Sequence, residues 1–175
     1  MTPRLIDCDV ARHAARILDI FNEAIVHSTA IYDYRPRSLD DMRAWFADKS
    51  ERGHPVIGLE GEDGGLLGFA TWGVFRARPA YKYTAEHSVY VHREHRRQGH
   101  GETLMRGLVE RAREQSLHVL VGGIDAANLP SIDLHLKLGF RHVGTLPQTG
   151  FKFGRWLDLA FYQLTLPTPE HPVDG

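Results

Sequence analysis

The 175-residue chain reads as a single α/β domain in which one mixed, mostly antiparallel, twisted sheet carries helices on its faces. Three observations lead to that class. Apolar periodicity changes along the chain in the order β-α-α-β-β-β-α-β-α-β-β. The segments Val56–Glu60 and Leu66–Phe75 are joined by Gly61-Glu62-Asp63-Gly64-Gly65, an antiparallel hairpin signal that argues against a doubly wound parallel sheet. The strand Glu86–Val91 runs through a short basic connection into a turn bearing Gly99 and Gly101. The helix after it has Leu104, Leu108 and Ala112 four residues apart.

In chain order, Arg4–Cys8 is a short strand, and Asp9 is placed to cap a helix over Val10–Ser28. Ala14, Ile17, Phe21, Ala24 and Ile25 form that helix's apolar stripe, with Arg12, Arg16, Asp19 and Glu23 off it. After the short aromatic segment Ala30–Tyr34, Ser38-Leu39-Asp40-Asp41 reads as a capping box opening a second helix that ends before Gly53. Arg76–Tyr81 is a loop rich in cations and aromatics. His118–Ile124 is almost continuously apolar, as a central strand is. Asp125–Pro130 is expected as a loop, Ser131–Leu138 as a short helix with Gly139 as its C-terminal cap, and Arg141–Leu146 and Trp156–Leu166 as the last strands. The domain spans residues 1–166; residues 167–175, rich in proline, are expected to form a frayed, disordered tail.

Composition narrows the function. A formal net charge of −1 gives no general affinity for nucleic acid or anionic membranes. No apolar run approaches the ~20 residues of a membrane span, and the charged N-terminus lacks a signal peptide's apolar segment. A single cysteine, Cys8, rules out an internal disulfide framework and fits a reducing cytoplasm. His92-Arg93-Glu94-His95 is neither the helical two-histidine zinc pattern nor accompanied by cysteines, so no metal is expected, and most of the eleven histidines are expected at the surface.

The turn carries the chemistry. Two glycines two positions apart at a helix start leave backbone N–H groups unshielded. With the helix dipole and the Arg96-Arg97 pair they form a site for phosphate or pyrophosphate. A nicotinamide cofactor fits poorly, because Leu104 stands where the third glycine of the dinucleotide fingerprint belongs and no suitable acidic residue follows. Glu86, at the far end of the preceding strand, is a candidate base. Arg76 and Arg78, spaced by two on a segment read as extended, point the same way and suit a carboxylate-bearing substrate.

The element order and the turn Arg96-Arg97-Gln98-Gly99-His100-Gly101 resemble the GCN5-related N-acetyltransferase (GNAT) superfamily, whose cofactor signature is [Gln/Arg]-x-x-Gly-x-[Gly/Ala]. Asn128-Leu129-Pro130-Ser131 followed by Leu134–Phe140 matches the superfamily's asparagine loop, short helix and Gly-Phe ending. A finer resemblance, from the first strand to about Leu166, is to the phosphinothricin and methionine sulfoximine acetyltransferase subgroup. It rests on Ser28-Thr29-Ala30, Phe75–Tyr81, Glu86–Val91, Leu134-His135 and Gly144-Thr145-Leu146 through Gly150-Phe151-Lys152.

That resemblance implies an N-acetyltransferase that uses acetyl-CoA to acetylate the α-amino group of a small amino acid. It implies Glu86 as general base and His135 as acid to the leaving sulfur or relay with Glu86. The cofactor would lie along Val89, Tyr90 and Val91, on the turn from Arg96, Arg97, Gln98, Gly99, His100 and Gly101 to Glu102 and Thr103, and against Asn128 and Ser131. It also implies an aromatic substrate lid at Tyr32 and Tyr34, and a homodimer with Gly150-Phe151-Lys152 as an interface loop. For Tyr32 and Tyr34 core packing is the competing reading; for Ser131, simple capping; for His135, a packing histidine. Rival functions are acetylation of a protein N-terminus or polyamine, against which the arginines count, and a CoA-binding sensor without activity.

Overall fold

Short-range chemistry decides where the helices begin. In the computed structural model, which describes residues 2–174, Asp9 accepts the Arg12 N–H and starts α1 (Val10–His27). Ser38 and Asp41 form a reciprocal capping box at the head of α2 (Leu39–Glu51). The strands are β1 (Arg4–Asp7), β2 (Val56–Glu60), β3 (Leu66–Val74), β4 (Thr84–Val91), β5 (Val119–Asp125), β6 (Arg141–Lys152) and β7 (Arg155–Thr165). Helices α3 (His100–Glu114) and α4 (Leu129–Lys137) stand before and after β5.

The strand order is β1-β2-β3-β4-β5-β7-β6. β1 with β2, β2 with β3, β5 with β7 and β6 with β7 are antiparallel, and β4 with β5 is parallel. The parallel pair requires a crossover, and α3 supplies it. The β4–β5 register covers Thr84↔Val119 to Glu86↔Val121, so Val89–Val91 lie past that ladder.

Two compact units divide the chain, one up to Trp72 with Ser88–Leu108, the other Gly73–His87 with the residues from Val109 on. β4 and α3 therefore pass through both. In the first, the α1 stripe predicted from periodicity is buried as Ala14, Ile17, Phe21, Ala24 and Ile25, joined by Met42, Phe46 and Phe69. In the second, Leu120, Val121, Ile124, Phe140, Leu157, Ala160 and Tyr162 are buried.

Two local expectations change. α4 starts at Leu129 rather than Ser131, because Pro130 falls in the first turn, where a missing N–H is tolerated, and Asn128 is the N-cap. β6 does not stop at Leu146. It continues to Lys152, with register shifts at His142/Gly144 and Leu146/Gly150, and turns into β7 through Phe153 and Gly154, both at positive φ. Gly150-Phe151-Lys152 is therefore strand, not loop; Pro147 and the two irregularities hide the alternation from a sequence reading, and an edge strand tolerates both. Four histidines, His13, His87, His92 and His135, are buried.

In the tail, the Thr168 hydroxyl donates to the Leu117 carbonyl, and the Val173 N–H donates to Tyr83 Oη at 3.1 Å. No described helix is long and apolar enough to cross a membrane.

Candidate active site

The glycine turn is built from residues close in sequence. Arg97 and Gly99 both have positive φ, +62° and +80°, which swings the backbone around before α3 begins at His100. A Cβ at Gly99 would meet nothing within 4 Å, so the glycine is required by its φ and leaves the backbone open. The first N–H groups of α3 have no intrahelical partner, and the positive end of its dipole lies there: a fit for a diphosphate.

The side chains around the turn are used differently from the expectation. Arg96 donates Nε to the Val91 carbonyl at 3.1 Å and pairs through its other nitrogen with Glu23 on α1. It therefore braces the turn against the end of β4 and is not a free cation. Glu102 pairs with Arg106 one helical turn on, and the Thr103 hydroxyl bonds back to the Gly99 carbonyl. What Gly99 to Glu102 offer an anion is thus backbone N–H, since the Thr103 N–H already donates to the Gly99 carbonyl at 3.1 Å, with Arg97 an exposed guanidinium beside them. Along β4, Tyr90 packs on Phe21 and Phe69, with ring centroids 5.3 Å from each. A Cβ at Gly68 on β3 would sit 2.6 Å from the Tyr90 carbonyl, so glycine there lets the two backbones approach.

His92, Glu94 and His95 each offer a ligand atom within 4.8 Å of the others. Buried His92 already has Asp19 at 3.2 Å from Nε2 and accepts the Glu94 N–H at Nδ1. The cluster reads as a hydrogen-bonded turn.

The second unit holds the titratable groups. Glu86 projects beside β5, where a Cβ at Gly123 would stand 3.2 Å from its Oε1. Its carboxyl is reachable from solvent, but partial desolvation raises its pKa above the ordinary carboxylate value. That shift increases its basicity, as a general base needs.

His135 does not meet Glu86. Its Nδ1 lies 2.7 Å from the Ser131 carbonyl one turn back on α4, and its Nε2 lies 2.8 Å from Nε2 of His87. Successive side chains on a strand point to opposite faces, so His87 and Glu86 lie on opposite sides of β4. The relay with Glu86 expected from the sequence is replaced by a histidine pair. The rings stack with centroids 5.1 Å apart, and Phe140 packs against both. Burial lowers both pKa values; for His87 it does so first, then the neighbouring His135, while the Val121 backbone acts the other way, and the net result is about 3. At neutral pH His135 is held neutral with both nitrogens engaged, Nδ1 by the Ser131 carbonyl and Nε2 by His87. His87 is the residue the sequence reading passed over. Its one signal was strand alternation, which puts it on the same face as buried Ala85.

Asn128 accepts the Ser131 N–H with its side-chain oxygen, so the expected capping is performed by Asn128 and not by Ser131. Arg76 and Arg78 are both exposed, Arg76 with its guanidinium 5.5 Å from the Phe75 ring. Bends at Phe75, Ala77 and Arg78 break the extended geometry on which a shared direction depended. Tyr32 is half-buried and Tyr34 is 71% exposed, so of the two only Tyr34 stands clear of the core.

Comparison with known proteins bears on these features. The sequence model of the Acetyltransferase (GNAT) family matches residues 15–140. An L-methionine sulfoximine/L-methionine sulfone acetyltransferase of Pseudomonas aeruginosa is 45% identical over 157 residues, covering 89% of this chain and 91% of its own. A phosphinothricin N-acetyltransferase of Streptomyces coelicolor is 33% identical, covering 86% and 89%. The solved phosphinothricin acetyltransferase of Sinorhizobium meliloti, in complex with acetyl-CoA, superposes with a TM-score of 0.93 at 34% identity over 98% of this chain and 93% of its own. With its strand–turn–helix unit and that match over most of its length, the chain belongs to the GNAT acetyltransferase family.

Proposed function

We propose that this protein transfers the acetyl group of acetyl-CoA to the α-amino group of a small amino acid of the methionine sulfoximine, methionine sulfone or phosphinothricin type. The observation that carries the reading is β4 itself. A carboxylate of raised basicity at Glu86 is followed on the same strand by Val89–Val91 and then by an anion-binding turn, in a chain 45% identical to a methionine sulfoximine/sulfone acetyltransferase.

In this reading Gly99 to Glu102 and Arg97 hold the diphosphate, with Gln98 and His100 contributing backbone only and Arg96 bracing the turn. N–H groups of Val89–Val91 polarise the acetyl carbonyl. Asn128 and Ser131 border the pantetheine arm. Glu86 takes one proton from the acceptor's ammonium, directly or through water, and passes it to solvent; the amine nitrogen bonds to the acetyl carbon as the carbon–sulfur bond breaks, and the second proton that nitrogen loses is balanced by protonation of the thiolate, so one proton is released overall. Arg76 and Arg78 bind the acceptor's carboxylate or second oxyanion, and Tyr32 and Tyr34 cover it.

The protein works in the cytoplasm as a homodimer, its exposed aromatics Phe153 and Trp156 at the β6–β7 turn suiting an interface.

An amine panel monitored by thiol release tests this. Methionine sulfoximine, methionine sulfone or phosphinothricin should turn over, and spermidine should not. Turnover confined to peptide N-termini or polyamines would overturn the acceptor class, and CoA binding without turnover would favour a sensor. Arg78→Ala should raise KM for the amino acid about tenfold and leave that for acetyl-CoA unchanged; the reverse pattern would move Arg78 to the cofactor. Sedimentation of the intact chain as a monomer would remove the homodimer.

A further inference from the structure

We propose that His87 is a positioning residue for acetyl transfer, acting with His135 as one proton-sharing unit that holds the first turn of α4 against β4. The proposal rests on the acetyltransferase reading above. It follows from counting protons on four nitrogens. A carbonyl oxygen only accepts, so the 2.7 Å contact to Ser131 places a proton on His135 Nδ1. Two imidazole nitrogens 2.8 Å apart need one proton between them. In the neutral pair that proton belongs to His87, because His135 already carries its own. His87 Nδ1 is then left bare, and it is buried without a hydrogen-bond partner.

With one further proton His135 donates from both nitrogens, and His87 carries its own proton on Nδ1. Burial of the charge opposes that state. The unit thus has two forms: a neutral one in which His87 Nδ1 is an unfilled acceptor, and a cationic one in which it is an unfilled donor and the charge is buried.

The surroundings are shaped to this pair. On β5, Gly122 leaves the space it needs: a Cβ there would lie 3.0 Å from His87 Cε1, 3.1 Å from its Nε2 and 3.2 Å from His135 Nε2. From β7 the titratable neighbour is Tyr162, its ring 6.5 Å from that of His135. From β4 it is Glu86, on the opposite face. No carboxylate among the described residues hydrogen-bonds either ring. The consequence is mechanical. Through His135 and the Ser131 carbonyl, the pair moors the turn that carries Asn128 and Ser131 to the residue next to Glu86. A displacement of about 1 Å in such a support is worth roughly 100-fold in rate.

Imidazole nitrogen NMR on the uniformly ¹⁵N-labelled full chain at neutral pH tests the unit without reference to activity. His135 should be protonated at Nδ1 alone and His87 at Nε2 alone, with a scalar coupling across the Nε2–Nε2 bond. A proton on His135 Nε2, or absence of the coupling, overturns the proposal. In kinetics, His87→Phe, which keeps ring volume, should lower kcat roughly 10- to 100-fold with KM for the acceptor little changed, and His87→Gln, which keeps a donor, should recover part of the loss. An unchanged kcat and pH profile in a folded His87→Phe protein overturns it as well. If no amine is acetylated at all, the acetyltransferase reading falls and with it the positioning role; a correct NMR result with active wild-type enzyme and inert kinetics of His87→Phe sinks the proposal alone.

Discussion

The glycine turn and the histidine pair solve opposite problems of assembly. The turn from Arg96 to Thr103 is continuous in sequence, and its shape comes from two positive φ values and a helix start. His87 and His135 are 48 positions apart and meet only where β4, β5 and α4 pack. A change in the turn should therefore act through the backbone and appear in cofactor binding. A change in the histidine face should act through packing and appear in stability and turnover.

The largest expected effect breaks neither region but the strand that joins them. Glu86→Gln should lower kcat about 10²- to 10⁴-fold. In the wild type, kcat should fall as pH drops through the raised pKa of Glu86, on a limb above the ordinary carboxylate range, and a thiol-release pH profile of the variant should lack that limb. A variant that keeps both rate and limb would remove Glu86 as base.

Next comes the packed face. Gly122→Ala places a methyl 3.0–3.2 Å from both rings and should destabilise by about 1–3 kcal/mol, seen as a lower urea midpoint, because rings wedged between strand and helix have little room to give. If Gly122→Ala were neutral, the pair would be looser than its 2.8 Å contact implies.

The same face predicts a pH dependence. His87 and His135 have depressed folded-state pKa values, so below about pH 6.5 the unfolded chain binds protons that the folded chain does not. Stability should be constant with respect to this pair above pH 6.5 and fall below it, for His87 down to about 3, by at most about 1.4 kcal/mol per pH unit for each ring. Urea titrations from pH 7.5 to 4.5 should give a shallower slope for His87→Phe than for wild type; equal slopes would separate the pair from acid sensitivity.

In the turn the effects are smaller and of another kind. Gly99→Ala meets no atom, so its penalty is the positive φ alone, about 1 kcal/mol, with KM for acetyl-CoA raised several-fold and kcat preserved. Glu23→Gln, which releases Arg96, should raise the same KM two- to fivefold, measured at low salt. A drop in kcat from either would show that the turn is not merely a handle for the cofactor.

Much of the fold was legible because its signals are local. Asp9, the Ser38–Asp41 box and the Gly61–Gly65 hairpin act within a few residues, and each stands where the chain announced it. The α1 stripe was equally plain, since 3.6-residue spacing is a property of the segment itself. The misread parts depend on neighbours. β6 runs past Pro147 because it is an edge strand, and nothing in Pro147 says which strand will be the edge. Arg96 matches the cofactor signature, yet its guanidinium is taken by Glu23, which belongs to another helix.

The sequence by itself determined the order of elements, the glycine turn before α3 and the placing of a carboxylate on the strand before it, because backbone conformation and strand continuity are set residue by residue. Tertiary structure alone decided what the side chains around these features do. It engaged Arg96 with Glu23 and the Val91 carbonyl, gave His135 a histidine as its hydrogen-bond partner, and left Gly122 as the space beside that pair. Proton sharing requires contact at 2.8 Å, and contact across 48 residues is a property of packing.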